Sequence, residues 1–145
     1  FLKIIDRKGT LSGHLHQMYA RELSIAGNDK DYSDAFPFFS GMAEEDSDEE
    51  MLRMDLAILV RCCRLSEDSD EMFRYALRGM AVKPSAELVY ELGEYLREKG
   101  EMKEAAMWYY NAAHETESIL NKRISEYAAK AMEQIGAGTD GFRMD

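Results

Sequence analysis

Apolar side chains recur along this chain at steps of three and four, the period of a helix that buries one face. From Thr10 to Ser24 the pattern sets Leu11, Leu15, Met18, Tyr19 and Leu23 on one side, and Gly27-Asn28-Asp29 then breaks it. Tyr32 to Met42 (YSDAFPFFSGM) gathers three Phe around Pro37 and predicts a short, kinked helix. Met51 to Leu65 is apolar-periodic, and so is the segment carrying Met72, Tyr75, Ala76, Gly79 and Met80. Lys83-Pro84-Ser85 ends that pair, because proline cannot continue the hydrogen-bond ladder and disfavours helix in the residue before it. A further pair follows, one helix from Ala86 to Lys99 and one from Met102 to Thr116, with Gly100 at the turn and Ala105, Ala106, Tyr109 and Ala112 facing inward. A last helix sets Leu120, Ile124, Tyr127, Ala128, Ala131 and Ile135 on one side. The fold class is all-α, built from antiparallel helix hairpins.

Two acidic runs, Glu44 to Glu50 (EEDSDEE) and Ser66 to Glu71 (SEDSDE), lead directly into helical segments. Acidic side chains there satisfy free N–H groups and complement the helix dipole, and Ser47 with Glu50 fits a capping box. This bears on metal chemistry. Asp29-Lys30-Asp31, Asp46-Ser47-Asp48 and Asp68-Ser69-Asp70 have an Asp-x-Asp spacing, but none follows an apolar strand, and the last two stand where helices need caps. His14 and His16, two apart on a helix, diverge and cannot grip one metal, so both are expected on the polar face. His114 stands near a helix end, where positive charge complements the dipole. No catalytic residue, metal site or cofactor is assigned.

Charge and cysteine content narrow the partners. The net charge of −10, from 28 acidic and 18 basic side chains, repels phosphate backbones and anionic membrane surfaces, so neither nucleic acid nor membrane is an expected partner. No run of eighteen apolar residues occurs, and FLKIIDRKG lacks the length and cleavage site of a signal peptide. Cys62 and Cys63 are adjacent with no third cysteine, which excludes a disulfide framework and suits two reduced thiols in the cytoplasm. The 145 residues suit one compact domain or a short helical array. The start at Phe1, in mid-pattern and without Met, reads as a piece of a longer protein.

The segment SAELVYELGEYLREKGEMKEAAMWYYNAAHE resembles the tetratricopeptide repeat (TPR). Leu92-Gly93 sits at the paired Leu-Gly, Leu96 at the Tyr position, Gly100 at the turn, Ala105 and Ala112 at the small contacts and Tyr109 at the aromatic; Val89 replaces the usual Trp and Glu117 the closing Pro. Small residues let two helix backbones approach, and leucine and the aromatic fill the space between hairpins. Stepping back 33 residues from Ala86 to Arg53 gives a degenerate copy with Leu56, Leu59-Val60, Cys63, Met72, Ala76 and Gly79, and Lys8 to Ser40 reads as a third, more eroded unit. The resemblance implies a single TPR-like domain forming a short right-handed superhelix: degenerate leading helices at 8–42, a degenerate repeat at 51–83, a well-formed repeat at 86–119, a capping helix at 120–135 and a flexible tail at 136–145.

A narrower resemblance rests on LSGHLHQMYAREL, the aromatic segment after it, and the pair ending in AAHETES. Over residues 8 to 118 this order is similar to the region C-terminal to the catalytic domain in some bacterial family-2 glycosyltransferases, with Phe36 to Glu50 departing from the repeat. It implies a non-catalytic interaction scaffold with a protein partner: an upstream catalytic domain, a second copy, or an acceptor protein. The alternative is a free-standing adaptor that holds a peptide or partner helix in its concave groove. Groove positions carried over from the repeat family are Met54, Ala57, Arg61 and Arg64 from one hairpin and Glu87, Tyr90, Glu94 and Arg97 from the next. Met102, Met107, Trp108 and Tyr110 make an exposed soft aromatic patch if part of the second helix stays uncovered; at least two of them are expected in the core, the remainder serving docking onto a catalytic domain or self-association.

Overall fold

Polar side chains fix where most of the helices begin. The computed structural model describes residues 9–45 and 48–136, with side chains from residue 14 onward. Helix α1 spans Gly9–Ala26. Asn28 and Asp31 then form a reciprocal box, in which the Asp31 N–H donates to Asn28 Oδ1 at 2.9 Å and the Asn28 N–H donates to Asp31 Oδ2 at 3.0 Å. That box opens α2, Asp29–Glu45. Asp48 accepts from the Met51 N–H at 3.0 Å and starts α3, Glu49–Leu65; the expected cap, Ser47, lies outside the described residues. Asp68 caps α4, Ser69–Val82, and Ser85 caps α5, Ala86–Glu98. Gly100, at φ 83°, makes the turn to α6, Met102–Tyr110, which runs on into a π-helical turn, Asn111–Glu115. Helix α7 is Ile124–Gln134.

Three expectations shift. Helix α2 continues through Pro37 for 17 residues instead of ending as a short segment. Pro37 costs the helix one donor, and the buried stripe Tyr32, Ala35, Phe39 and Ala43 holds both halves against the core. The last helix begins at Ile124, because residues 116–123 form a loop that carries Leu120 into the core. In α1, Met18 is exposed and the inner stripe is His16, Ala20 and Leu23, with Tyr19 half-buried; Leu11 lies outside the residues whose side chains are described. The tail from residue 137 also lies outside the described residues.

The described residues form seven α-helices and no strand, so the all-α expectation holds. Helix α3 is central, buried without interruption from Arg53 to Val60, and packs on α1, α2, α4 and α5. Short turns make hairpins of α3 with α4 and of α5 with α6. The odd-numbered helices lie side by side, α1 on α3, α3 on α5 and α5 on α7. A large core joins α1 to α5 with Leu120, a smaller one joins Val89, Ala105, Tyr109, Ala112, Ala128, Ala131 and Met132, and Trp108 packs against both.

Between α4 and α5 a buried guanidinium does the work of a cap. Arg53 donates from Nε to the Lys83 carbonyl at 3.1 Å and from Nη2 to the Pro84 carbonyl at 2.9 Å. The fork takes up acceptors that the end of α4 leaves open, and so fixes the corner at which the next hairpin starts.

Candidate functional site

The row of odd helices brings charged side chains into an otherwise apolar interior. Arg61 and Arg64, one turn apart on α3, face Glu91 on α5. Arg64 donates from Nε to Glu91 Oε1 at 2.9 Å and from Nη1 to Glu98 Oε2 at 2.6 Å. Glu91 is buried; burial pushes its carboxyl above the usual range, and Arg64 and Arg61 pull it back. Arg61 is held more loosely. Its Nη1 stands 3.9 Å from Glu91 Oε2, beyond hydrogen-bond length, and its guanidinium lies over the Tyr32 ring, 4.1 Å from the centroid. Tyr32 is fixed in turn, donating its hydroxyl to the Leu23 carbonyl at 3.1 Å.

These groups border a cavity of about 240 Å³ between the end of α1, the start of α2, the facing sides of α3 and α5, and the approach to α7. Arg61, Glu91, Tyr32, Tyr90 and Tyr127 supply its polar groups, and Ile25, Leu120 and Ile124 its apolar wall.

Glu87 also borders the cavity, but its carboxylate is spent on the protein. It accepts the N–H groups of Ile119, Leu120 and Asn121, each at 3.1 Å, and the hydroxyl of Ser118 at 2.5 Å. The same loop is tied down twice more, by the Ala86 N–H to the Glu117 carbonyl at 3.0 Å and by Asn121 Nδ2 to the Ser24 carbonyl at 3.3 Å. Loop and α7 are thereby clamped across the ends of α5 and α1.

The eight groove residues divide accordingly. Ala57, Arg61, Glu87 and Tyr90 meet at the cavity. Met54 is buried in the core. Arg64 is buried in its ion pairs, beside a second hollow lined by Cys63, Met72, Tyr95 and Glu98. Glu94 accepts a short hydrogen bond from the Tyr109 hydroxyl, and Arg97 donates to Gln134 Oε1 at 3.3 Å. Both therefore serve the packing of α5 on α6 and α7.

Sequence reading missed Glu91, which completes the network; a glutamate on the inner stripe of a helix, facing arginines on its neighbour, was the available signal. It also misplaced His16. That residue is fully buried, its Nε2 paired to Asp55 Oδ1 by a short contact, with Phe38 and Phe39 against its ring, whereas His14 is exposed as expected. His114 packs against the Tyr110 ring at 4.7 Å. Met102, Met107 and Tyr110 are exposed and only Trp108 is substantially covered, so fewer of that group reach the core than expected.

Activated nucleophiles are not what the interior supplies. Burial pushes the Cys62 thiol up to about 12 and Cys63 to about 11, which keeps both protonated and weakly reactive at neutral pH. The Asp-x-Asp residues Asp48 and Asp68 serve as helix caps, and Asp31 closes the α2 box. Among the described residues no helix is long and apolar enough to cross a membrane. Compared with family models, curated proteins and solved structures, the chain matches none of them.

Proposed function

We propose that this chain is a non-catalytic TPR-like scaffold that serves as the C-terminal accessory region of a bacterial family-2 glycosyltransferase, docking onto the catalytic domain, a second copy or an acceptor protein in the cytoplasm. The neighbour order carries the scaffold half of this reading: α1, α3, α5 and α7 side by side, with α4 and α6 folded back as hairpin partners, as stacked helix pairs require. The exposed apolar side chains Phe73 and Leu77 on α4 and Met102, Met107 and Tyr110 on α6 suit attachment through the hairpin-partner helices. The parent enzyme rests on the sequence resemblance over residues 8 to 118. Arg64, Glu91 and Glu98 committed to one another, thiols held protonated and acidic pairs used as caps favour a supporting role over a chemical one.

The alternative, an adaptor clamping an extended peptide in its groove, is less well supported. Met54 is buried, Glu87 is engaged by the loop, and a cavity of about 240 Å³ is too small to hold an extended peptide. Two measurements test the proposal. Incubated with nucleotide sugars and candidate acceptors, the chain alone is expected to transfer nothing, and measurable transfer would overturn the non-catalytic reading. The coding sequence before Phe1 is expected to specify an α/β domain with an Asp-x-Asp motif after a strand; a start codon within a few residues would remove the parent enzyme.

A further inference from the structure

Donors and acceptors around the cavity do not balance. Glu87 already accepts four hydrogen bonds from residues 118–121, and Glu91 Oε1 is taken by Arg64. Arg61 has the opposite condition: its Nε is buried with no hydrogen-bond partner among the described residues, and its nearest carboxylate oxygen stands 3.9 Å away. The Nε itself is closed to solvent, so the part of the guanidinium open to an acceptor is its Nη side, which lines the cavity with its nearest carboxylate oxygen beyond hydrogen-bond length. The Tyr32 ring, 4.1 Å away, holds the fork flat, and with 28% of the side chain exposed it is within reach of solvent.

We propose that this cavity binds a small carboxylate with a short apolar body, its oxygens on the Arg61 fork and its body against Ile25, Leu120 and Ile124. A planar carboxylate matches the two-pronged donor geometry of a guanidinium better than any neutral acceptor. The volume of about 240 Å³ limits the body to a few carbons. Because the walls come from α1, α2, α3, α5 and the segment leading into α7, an occupant would bridge helices distant in sequence and stiffen their arrangement. The site stands on the cavity and does not depend on the scaffold reading.

The test is an NMR titration of the whole chain with hexanoate, followed at the arginine Nε–Hε resonances, that of Arg61 being identified by its loss in Arg61→Lys. Hexanoate is expected to shift that resonance saturably. Hexanol, which keeps the body and lacks the charge, should leave it in place, and inorganic phosphate, which lacks the body, should bind at least roughly tenfold more weakly. Arg61→Gln should weaken hexanoate binding roughly ten- to hundredfold, the usual worth of a charge-assisted hydrogen bond. Should that variant not fold, Ser24→Phe, which fills the cavity from its rim and keeps Arg61, should abolish the shift. No saturation with hexanoate, an equal response to hexanol, phosphate binding at parity, or binding retained in either variant would overturn the proposal.

Discussion

Gly93 on α5 lies against the ring of Tyr109 on α6, so closely that a methyl group in place of its hydrogen would stand 2.9 Å from the ring carbons. Both residues are buried, and the Tyr109 ring is pinned by its hydroxyl's bond to Glu94, so it cannot swing aside freely. Gly93→Ala is therefore expected to destabilise the fold by about 1 to 3 kcal/mol through overpacking, even though alanine is the better helix former by about 1 kcal/mol. Gly41 provides the control, since it sits within α2 with nothing near the position of an added methyl. Gly41→Ala should gain up to about 1 kcal/mol. Urea unfolding of both variants checks the pair, and equal effects would show that close approach is not what glycine provides at 93.

Glu87 makes a second prediction because its partners are backbone amides. Glu87→Ala leaves the N–H groups of Ile119 and Leu120 without their acceptor, and that of Asn121 with only the Ser118 hydroxyl at 3.1 Å, in a region of low exposure. The expected loss is about 2 to 4 kcal/mol, with amide hydrogen exchange accelerated in residues 119–121 and α7 ahead of α3. Uniform acceleration through all helices would mean that the carboxylate does not act as a clamp on the loop.

The contrast between these residues shows what the sequence could reveal. Gly93, Ala105, Tyr109 and Ala112 were legible because their roles follow from spacing within one hairpin. Asp68 was legible because a cap acts on an amide three residues away, whereas Ser85, which caps α5, reads only as part of the break after Pro84. Glu87 reads as an open groove residue, since nothing local reveals that its acceptors will be filled from a loop 31 to 34 residues later. Arg53 likewise reaches carbonyls 30 and 31 residues on, and Arg64 meets Glu91 across two helices. His16 was hidden by a different cause. Imidazole counts as polar in a periodicity, and its burial depends on Asp55, 39 residues away.

The two adjacent thiols set an alkaline limit. Burial raises Cys62 to about 12 and Cys63 to about 11, and burial likewise raises the Tyr32 phenol to about 12. Each is an acid whose proton is held more tightly in the folded chain than in the unfolded one. Their contribution to stability is complete below the unfolded values near 9 for the thiols and 10 for the phenol, and is lost as pH rises through the folded values. Melting temperature should thus be insensitive to this group up to about pH 8.5 and fall between about pH 9 and 12. At pH 8 a thiol reagent such as Ellman's should modify Cys62 and Cys63 only as fast as the chain opens. Rapid labelling of the folded chain would contradict the burial of both.

His16 and Asp55 couple α1 to α3 inside an aromatic surround, with both side chains wholly enclosed. Removing one member of a buried polar pair takes from the other a partner that offsets its burial, so Asp55→Ala is expected to cost about 3 to 5 kcal/mol. Replacing both, His16→Leu with Asp55→Leu, removes the remaining buried polar group of the pair and puts apolar volume beside Phe38 and Phe39, so a large part of that loss should return. The double variant should then be more stable than the sum of the two single changes predicts, by at least about 1 kcal/mol in a urea-unfolding cycle. Additive losses would mean that each side chain is held by its own surroundings, leaving α1 attached to α3 by packing alone.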